Sequence, residues 1–350
     1  MSILPQLSIE IGRGINLSRE QARSAALELA RAEVPFEDKK AFLCALTKKG
    51  ETATEVAAFA QAFRNLSRGT GLDDFAPRAI DIVGTGGSGF GGYNISSAAA
   101  IVAAAAGVPV LKHGNRAITS QSGAADFLSA LGVPQAPSLD GLRRSVEELS
   151  FCFLFAPNFH PAFKEIGPVR KALAAEGSRS IFNILGPLIN PARPAYELLG
   201  AFSPTWVEPL AGALGELGLK SGLAAYGFVP GKGGVDELTS AGENRVAGFG
   251  LLESFPHSRT PEDFGLARCP ASDLAGGTAQ ENVALLHRLA RGEGPAGLID
   301  TICLNAGAAF HIVGRSPSVQ AGTDLARSVL TGGGVAAWLE KAARVLPKVQ

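Results

Sequence analysis

Residues 81–100, DIVGTGGSGFGGYNISSAAA, constrain the fold more than any other stretch of the chain. Six of the nine residues from Gly84 to Gly92 are glycine. They follow a short β-branched run, AIDIV, and precede an alanine-rich run opened by Asn94, Ser96 and Ser97. The pattern predicts a strand, a glycine loop and a helix. Glycine lets backbone N–H groups face a ligand with no Cβ in between. A helix N-terminus with free N–H groups and nearby hydroxyls is an anion site. The same letters would also suit a plain glycine turn ahead of a capped helix. No GK[ST] follows, so the stretch is not a P-loop, and it is not a clean GxGxxG.

The alternation continues downstream. VPVLKHG reads as a strand, SGAADFLSALG as a helix and FCFLFA as a strand. YELLGAF, EPLAGALGELG and SGLAAYGFV repeat the pattern, which predicts a parallel sheet with helices on both faces. The first seventy-odd residues differ. Ser18 with Gln21, and Thr52 with Glu55, form capping-box patterns ahead of helical runs. The expected fold class is therefore α/β: a small all-helical domain over residues 1–75, then a large α/β domain with a mostly parallel central sheet flanked by helices. That second domain is expected over 76–159 and 191–350. The stretch between is rich in helix formers, although strands precede and follow it. A helix is expected to start at Pro161.

Composition narrows the function classes. With 32 basic and 32 acidic side chains in 350 residues, the net charge is zero, which gives no general push toward nucleic acid or anionic membrane. The four cysteines lack CxxC or zinc-ribbon spacing, so reduced thiols and a cytoplasmic location are expected. The apolar stretch from Ile95 to Leu111 is mostly alanine and contains Gly107 and Pro109, a poor membrane span. The first residues lack a basic start and a signal-like apolar block.

Three further segments hold candidate chemistry. Lys112, His113, Asn115 and Arg116 cluster with Thr119, Ser120 and Ser122 after a strand. In open α/β sheets ligands collect at the carboxyl ends of strands, so this loop should face the glycine loop. Lys112 suits phosphate as a point charge; a solvated polar loop is the alternative. His160 and Arg170 come next. Arg170 is suited to grip a carboxylate through two parallel bonds, or to be an ordinary surface charge. His160 is suited to cap a helix, contact a ring or serve a structural role. Asp236 and Glu237 are adjacent carboxylates after glycines, a pair common on surfaces that gains meaning beside a polyphosphate site, where magnesium takes one or two carboxylates. No GxSxG or HExxH is present.

Taken together these segments resemble the anthranilate phosphoribosyltransferase family along nearly the whole chain. FLCALTKKGETATEVAAF is similar to its N-terminal helical signature, GTGGSG…NISS to its glycine loop, and KHGNR matches directly. HPAFKEIGPVRKAL, RSIFNILGPLINPA, VDEL and LNAGAAFHIVG are similar to its remaining hallmarks. The resemblance implies transfer of the phosphoribosyl group from phosphoribosyl pyrophosphate to anthranilate in tryptophan biosynthesis, with magnesium, in a homodimer. It implies that residues 160–190 join the helical domain in space. It assigns phosphoribosyl pyrophosphate to Gly84, Gly87, Ser88, Gly92, Asn94, Ile95, Ser96, Ser97, Lys112, Ser120 and Ala124. It assigns anthranilate to Gly84, His113, Asn115, His160 and Arg170, and the metal to Ser96, Asp236 and Glu237. Lys112, Asp236 and Glu237 would carry catalysis.

Three positions depart from the family pattern. An aspartate is replaced by Ser88, a threonine by Gly92 and a phosphate-contacting serine by Ala124. They motivate an alternative, a related transferase with another aromatic acceptor. A non-enzymatic nucleic-acid-binding paralogue is a second, opposed by the zero net charge and by the retained KHGNR and Asp236–Glu237.

Overall fold

A computed structural model describes residues 2–87, 89–116 and 121–348. The chain opens with α1 (Leu4–Gly12), α2 (Arg19–Leu29), α3 (Phe36–Lys49) and α4 (Ala53–Asn65). Both expected capping boxes form: Ser18 and Gln21 exchange side-chain-to-backbone bonds at the start of α2, and Thr52 and Glu55 do so at α4. Each box satisfies donors that a helix start otherwise leaves orphaned. Glu55 does more. Its buried carboxylate also accepts from the Leu17 N–H at 2.8 Å and pairs with Lys49 at 2.8 Å, tying the entry of α2 and the end of α3 to α4.

The next elements are β1 (Ile80–Gly84), α5 (Ile95–Ala105), β2 (Val110–Gly114), α6 (Ala124–Ala130), α7 (Leu139–Leu149) and β3 (Phe151–Phe155). Then come α8 (Ala156–Phe159), α9 (Gly167–Ala175), α10 (Leu185–Leu188), β4 (Tyr196–Gly200), α11 (Val207–Glu216) and β5 (Ser221–Val229). The strands β6 (Gly233–Val235), β7 (Asn244–Gly250) and β8 (Ser258–Arg259) precede α12 (Ala279–Leu289), α13 (Ala296–Ile312), α14 (Val319–Thr331) and α15 (Gly334–Val345). The helix expected from Pro161 is a correction: Pro161–Lys164 is a single 3₁₀ turn, and the regular helix starts only at Gly167. Pro168 has no N–H to donate to Lys164, so it sits in a first turn rather than a helix interior.

The sheet runs β3-β2-β1-β4-β5-β7-β8. The pairs among β1 to β5 are parallel, and β6, β7 and β8 add antiparallel pairs. Strand order reverses between β1 and β4, because β2 and β3 lie on one side of β1 and β4 on the other. A crevice opens at such a switch point, outside the carboxyl ends of the strands. Those ends are Gly84 of β1 and Gly200 of β4, which are register partners. β5 outruns β4: Gly227, Phe228 and Val229 pair with β6 beyond the end of β4. The chain leaving β6 thereby delivers Asp236 and Glu237 to the switch point.

Strand residues alternate between two faces. Ile80, Ile82, Leu198 and Leu223 bury against α5, α13 and α14 in one core. Small alanines let α5 pack closely, and α13 is apolar all round because it is enclosed. Leu199, Ala224 and Phe249 face the other way, into a core shared with α1–α4 and α11. Ile166, Leu173, Ile181 and Leu185 belong to that second core.

Candidate active site

Two cavities meet at the glycine loop. The first, about 360 Å³, is lined by Gly86, Gly87, Gly92 and the start of α5, with Ala124, Asp236 and Glu237. The second, about 580 Å³, is lined by Gly84 and Thr85 with Asn115, His160, Phe163 and Arg170. The carboxyl ends of β1 and β2 supply one wall of the second cavity, and residues 156–189 supply the other.

Asp236 and Glu237 hold the loop and α5 together. The Gly86 N–H donates to Asp236 Oδ2 at 2.8 Å, and the Ser96 N–H donates to Glu237 Oε1 at 2.8 Å. Both glycines at the switch point are needed for this approach. A Cβ on Gly84 would lie 2.3 Å from Asp236 Oδ2, and one on Gly200 would lie 1.5 Å from the Asp236 carbonyl oxygen. Burial, with the Asp236 charge beside it, pushes the Glu237 carboxyl up to about 8. The pair thus carries a charge that a cation would relieve. The donors are hard oxygens, two carboxylates and the Ser96 hydroxyl at the start of α5. Among the described residues no third His, Cys, Asp or Glu joins them. A site of two carboxylates, finished by water and ligand oxygens, fits magnesium better than a closed zinc or calcium cage.

Other expected residues fall on the same cavity with distinct environments. Asn94 bonds Ser122, donating Nδ2–H to its carbonyl at 3.0 Å. Ser97 is buried and its hydroxyl has no partner among the described residues. Ile95 is buried in the α5 core, so only its backbone serves the cavity. At Gly92 a Cβ would stand 2.8 Å from the Phe90 ring, so this loop fills with phenylalanine the space a side chain at 92 would need. Ser88 and Ser120 lie outside the described residues.

Lys112 is placed differently from a phosphate grip on an open loop. It is buried, its ammonium donates to the Ile82 carbonyl, and it does not line either cavity. Burial lowers its pKa, and the nearby Asp81 and Glu237 carboxyls partly offset that. Asp81 is in turn bonded by Asn190 at 2.7 Å, and burial raises its carboxyl to about 6.

His113 and His160 form a buried pair on the second cavity, with Nε2 atoms 3.2 Å apart. Nδ1 of His113 faces the Gly186 carbonyl at 3.2 Å, which can only accept. His113 therefore carries its proton on Nδ1, and His160 donates from Nε2. Burial holds His113 well below the usual range and lowers His160 to about 4, so both rings are neutral. Arg170 lies 5.6 and 5.9 Å from the Phe163 and Phe182 ring centres. No carboxylate pairs with it among the described residues. Asn115 lines the same cavity, its own Oδ1 accepting from the Arg116 N–H.

Some site residues were not legible in the sequence. Gly200 ends a strand as Gly84 does, and that shared position was the available signal. Arg179 stacks 4.0 Å from the Phe202 ring centre and donates to the Gly87 carbonyl at 3.5 Å, bridging residues 160–190 to the glycine loop. Nothing in its local sequence marks it.

A helical bundle joined to a switch-point sheet, with a glycine loop beside a cavity that carries Arg170 and aromatic rings, is the architecture of a glycosyl transferase family. The helical bundle domain of that family matches residues 6–67, and its a/b domain matches residues 76–336. The anthranilate phosphoribosyltransferase of Thermus thermophilus is 44% identical over 325 residues, covering 93% of this chain and 94% of the relative. A crystal structure of the enzyme from Thermus thermophilus superposes with a TM-score of 0.86 at 41% identity, covering 99% of this chain and 100% of the other. The Saccharomyces cerevisiae enzyme in complex with PRPP and Mg gives a TM-score of 0.75 at 25% identity, covering 94% and 92%. The chain belongs to the anthranilate phosphoribosyltransferase family.

Proposed function

We propose that the chain transfers the 5-phosphoribosyl group from phosphoribosyl pyrophosphate to the amino group of anthranilate, releasing pyrophosphate. The observation that carries this reading is the glycine loop running along both cavities, Gly84 and Thr85 on the larger and Gly86 and Gly87 on the smaller, with Asp236 and Glu237 fastening that loop and α5 at the switch point. The smaller cavity takes the phosphorylated donor, with Gly87, Asn94, Ser96 and Ser97 around it. The larger takes the acceptor. Arg170 is free to meet the acceptor carboxylate, and Phe163 and Phe182 wall the ring.

The reaction forms a bond between the amine nitrogen and C1 of the ribose as the C1–oxygen bond breaks. The breaking bond's electron pair leaves with pyrophosphate, and the amine proton passes to solvent. Asp236, Glu237 and Ser96 would hold magnesium, which when bound offsets charge on the leaving group. Arg170 and Asn115 orient the acceptor, making a bimolecular encounter a positioned one. The neutral His113–His160 pair lines the acceptor's path without adding charge beside a developing cation. Lys112, buried between Asp81 and Glu237, steadies the carboxylate pair from behind.

We assign residues 1–75 with 160–190 to one moving unit and the remainder to the other, the active site lying in the hinge. The packing of α9 on α3 and of α10 on α4 supports grouping residues 160–190 with the helical domain, within a core that continues into β4, β7 and α11. A homodimer is proposed as well, and exposed Ile9, Ile15 and Phe36 on the helical domain offer apolar surface for it. No helix among the described residues is long and apolar enough to cross a membrane; the cytoplasm is the proposed location. The test is to incubate purified protein with phosphoribosyl pyrophosphate and magnesium and follow the loss of anthranilate fluorescence. Persistent fluorescence, with consumption of another aromatic acceptor, would shift the reading to a related transferase.

A further inference from the structure

Asn94 lines the smaller cavity just ahead of α5, and its amide has two ends of opposite chemistry. Turned one way it offers an anion a donor; turned the other way it offers a carbonyl oxygen. Partners that can only donate or only accept decide which. The Ser122 hydroxyl donates to Asn94 Oδ1 at 3.0 Å, but a hydroxyl can play either role and decides nothing by itself. The Ser122 carbonyl, at 3.0 Å from Nδ2, fixes one end. The other end is fixed by a residue from α12. Asn282 donates from Nδ2 to Asn94 Oδ1 at 2.8 Å.

The orientation of Asn282 is itself set by backbone. Its Oδ1 accepts from the Gly277 N–H at 2.9 Å, a group that can only donate. Its Nδ2 must then face the Gly277 carbonyl, at 3.3 Å, and Asn94. Asn282 is 2% exposed, and its own carbonyl accepts from the Tyr93 hydroxyl at 3.0 Å. The Ser122 carbonyl and, through Asn282, the fixed peptide at Gly277 thus determine together that the second N–H of Asn94 is the end left for the cavity.

We infer that Asn282 is a positioning residue for the donor substrate: it holds Asn94 with an N–H, rather than a carbonyl oxygen, toward the phosphates of phosphoribosyl pyrophosphate. The inference rests on the reading of the smaller cavity as the phosphoribosyl pyrophosphate site. The informative variant is Asn282→Asp. Its carboxylate still accepts from Gly277 but cannot donate to Asn94. Two oxygens would face each other across the position of a 2.8 Å bond, and Asn94, whose Nδ2 the Ser122 carbonyl still holds, would be pushed out of place. Its second N–H would then no longer be held toward the phosphates.

The experiment is calorimetric titration of phosphoribosyl pyrophosphate, with magnesium and no acceptor, into wild type, Asn282→Asp, Asn282→Ala, Asn94→Ala and the Asn94→Ala/Asn282→Asp double variant. Asn282→Asp should raise Kd by about tenfold or more, the scale of one misdirected bond to a charged ligand. Asn282→Ala, which removes the donor without adding repulsion, should fall between it and wild type. The double variant should bind within about twofold of Asn94→Ala alone, since contacting residues are not additive. The KM for anthranilate at saturating donor should stay within about twofold throughout. An Asn282→Asp effect that persists in full without Asn94 would overturn the inference, as would unchanged affinity in Asn282→Asp. If Asn282→Asp does not fold, Asn282→Ala carries the same cycle, with the same two refuting results. A wild type that binds no phosphoribosyl pyrophosphate at all would instead remove the reading of the site.

Discussion

Gly84→Ala tests how Asp236 and Glu237, the carboxylates proposed to hold magnesium, are positioned. Gly84 does not have a positive φ, so the backbone accepts alanine and only the space is at issue. The new Cβ would stand 2.3 Å from Asp236 Oδ2, where ordinary contact begins at 3.4 Å. The carboxylate must retreat by about 1 Å, and the 2.8 Å bond from the Gly86 N–H is lost with it. A carboxylate end can swing, so the stability cost should lie near the bottom of the overpacking range, about 1 kcal/mol. Turnover should suffer far more: a misplacement of about 1 Å in a catalytic array costs on the order of 100-fold. The assay is initial rate against magnesium concentration at fixed substrates, beside thermal melts. Half-saturation should move to higher magnesium. Gly200→Ala provides the graded companion. There the obstacle is the Asp236 backbone carbonyl at 1.5 Å, which cannot swing, so that variant should lose several degrees of Tm as well as activity. Gly12→Ala, whose Cβ meets nothing within 4 Å, is the control. A Gly84→Ala enzyme with wild-type turnover and magnesium dependence would refute the reasoning.

Three other expectations follow from the same geometry. Arg170→Ala should raise the KM for anthranilate by roughly 10- to 150-fold, the equivalent of about 1.5–3 kcal/mol for a bond to a charged group, with little change for phosphoribosyl pyrophosphate; equal changes in both would mark Arg170 as structural. Asp236→Asn and Glu237→Gln should each sharply lower magnesium-dependent turnover while far-UV circular dichroism stays native, and a double substitution with unchanged activity would remove the pair from the metal site. His160 is about 4 in the fold against 6.5 when unfolded, so the unfolded chain binds the proton first as pH falls. Its contribution is therefore fully present above pH 6.5 and is lost between 6.5 and about 4, at most about 3 kcal/mol. Unfolding titrations of wild type and His160→Gln should diverge in that window, the wild type falling faster; parallel profiles would show that His160 is not held neutral.

What the sequence determined was local. The capping boxes at Ser18 and Thr52 are bonds between residues three apart, and they form as the spacing requires. AIDIV followed by glycines and alanines makes β1, the loop and α5, because strand and helix periodicities are short-range properties. Lys112, Asn94 and the Asp236–Glu237 pair were visible as chemistry, and the strand pattern put the Lys112 loop opposite the glycine loop, but their bonding partners were not visible. Pro161 suggested a helix start, but Pro168 confines the regular helix to Gly167–Ala175. Tertiary structure decided everything that joins distant segments. Asp236 meets Gly84 and Gly200 because β4 returns beside β1 and β6 extends past it, a consequence of strand order that no local pattern encodes. Lys112 points inward because its ammonium finds the Ile82 carbonyl on the neighbouring strand, a partner that sequence spacing does not supply. Arg179 and Asn282 reached the glycine loop and α5 from residues 160–190 and from α12. A side chain's partners are set by which surfaces the whole fold brings within about 3 Å, and that is a property of packing rather than of spacing along the chain.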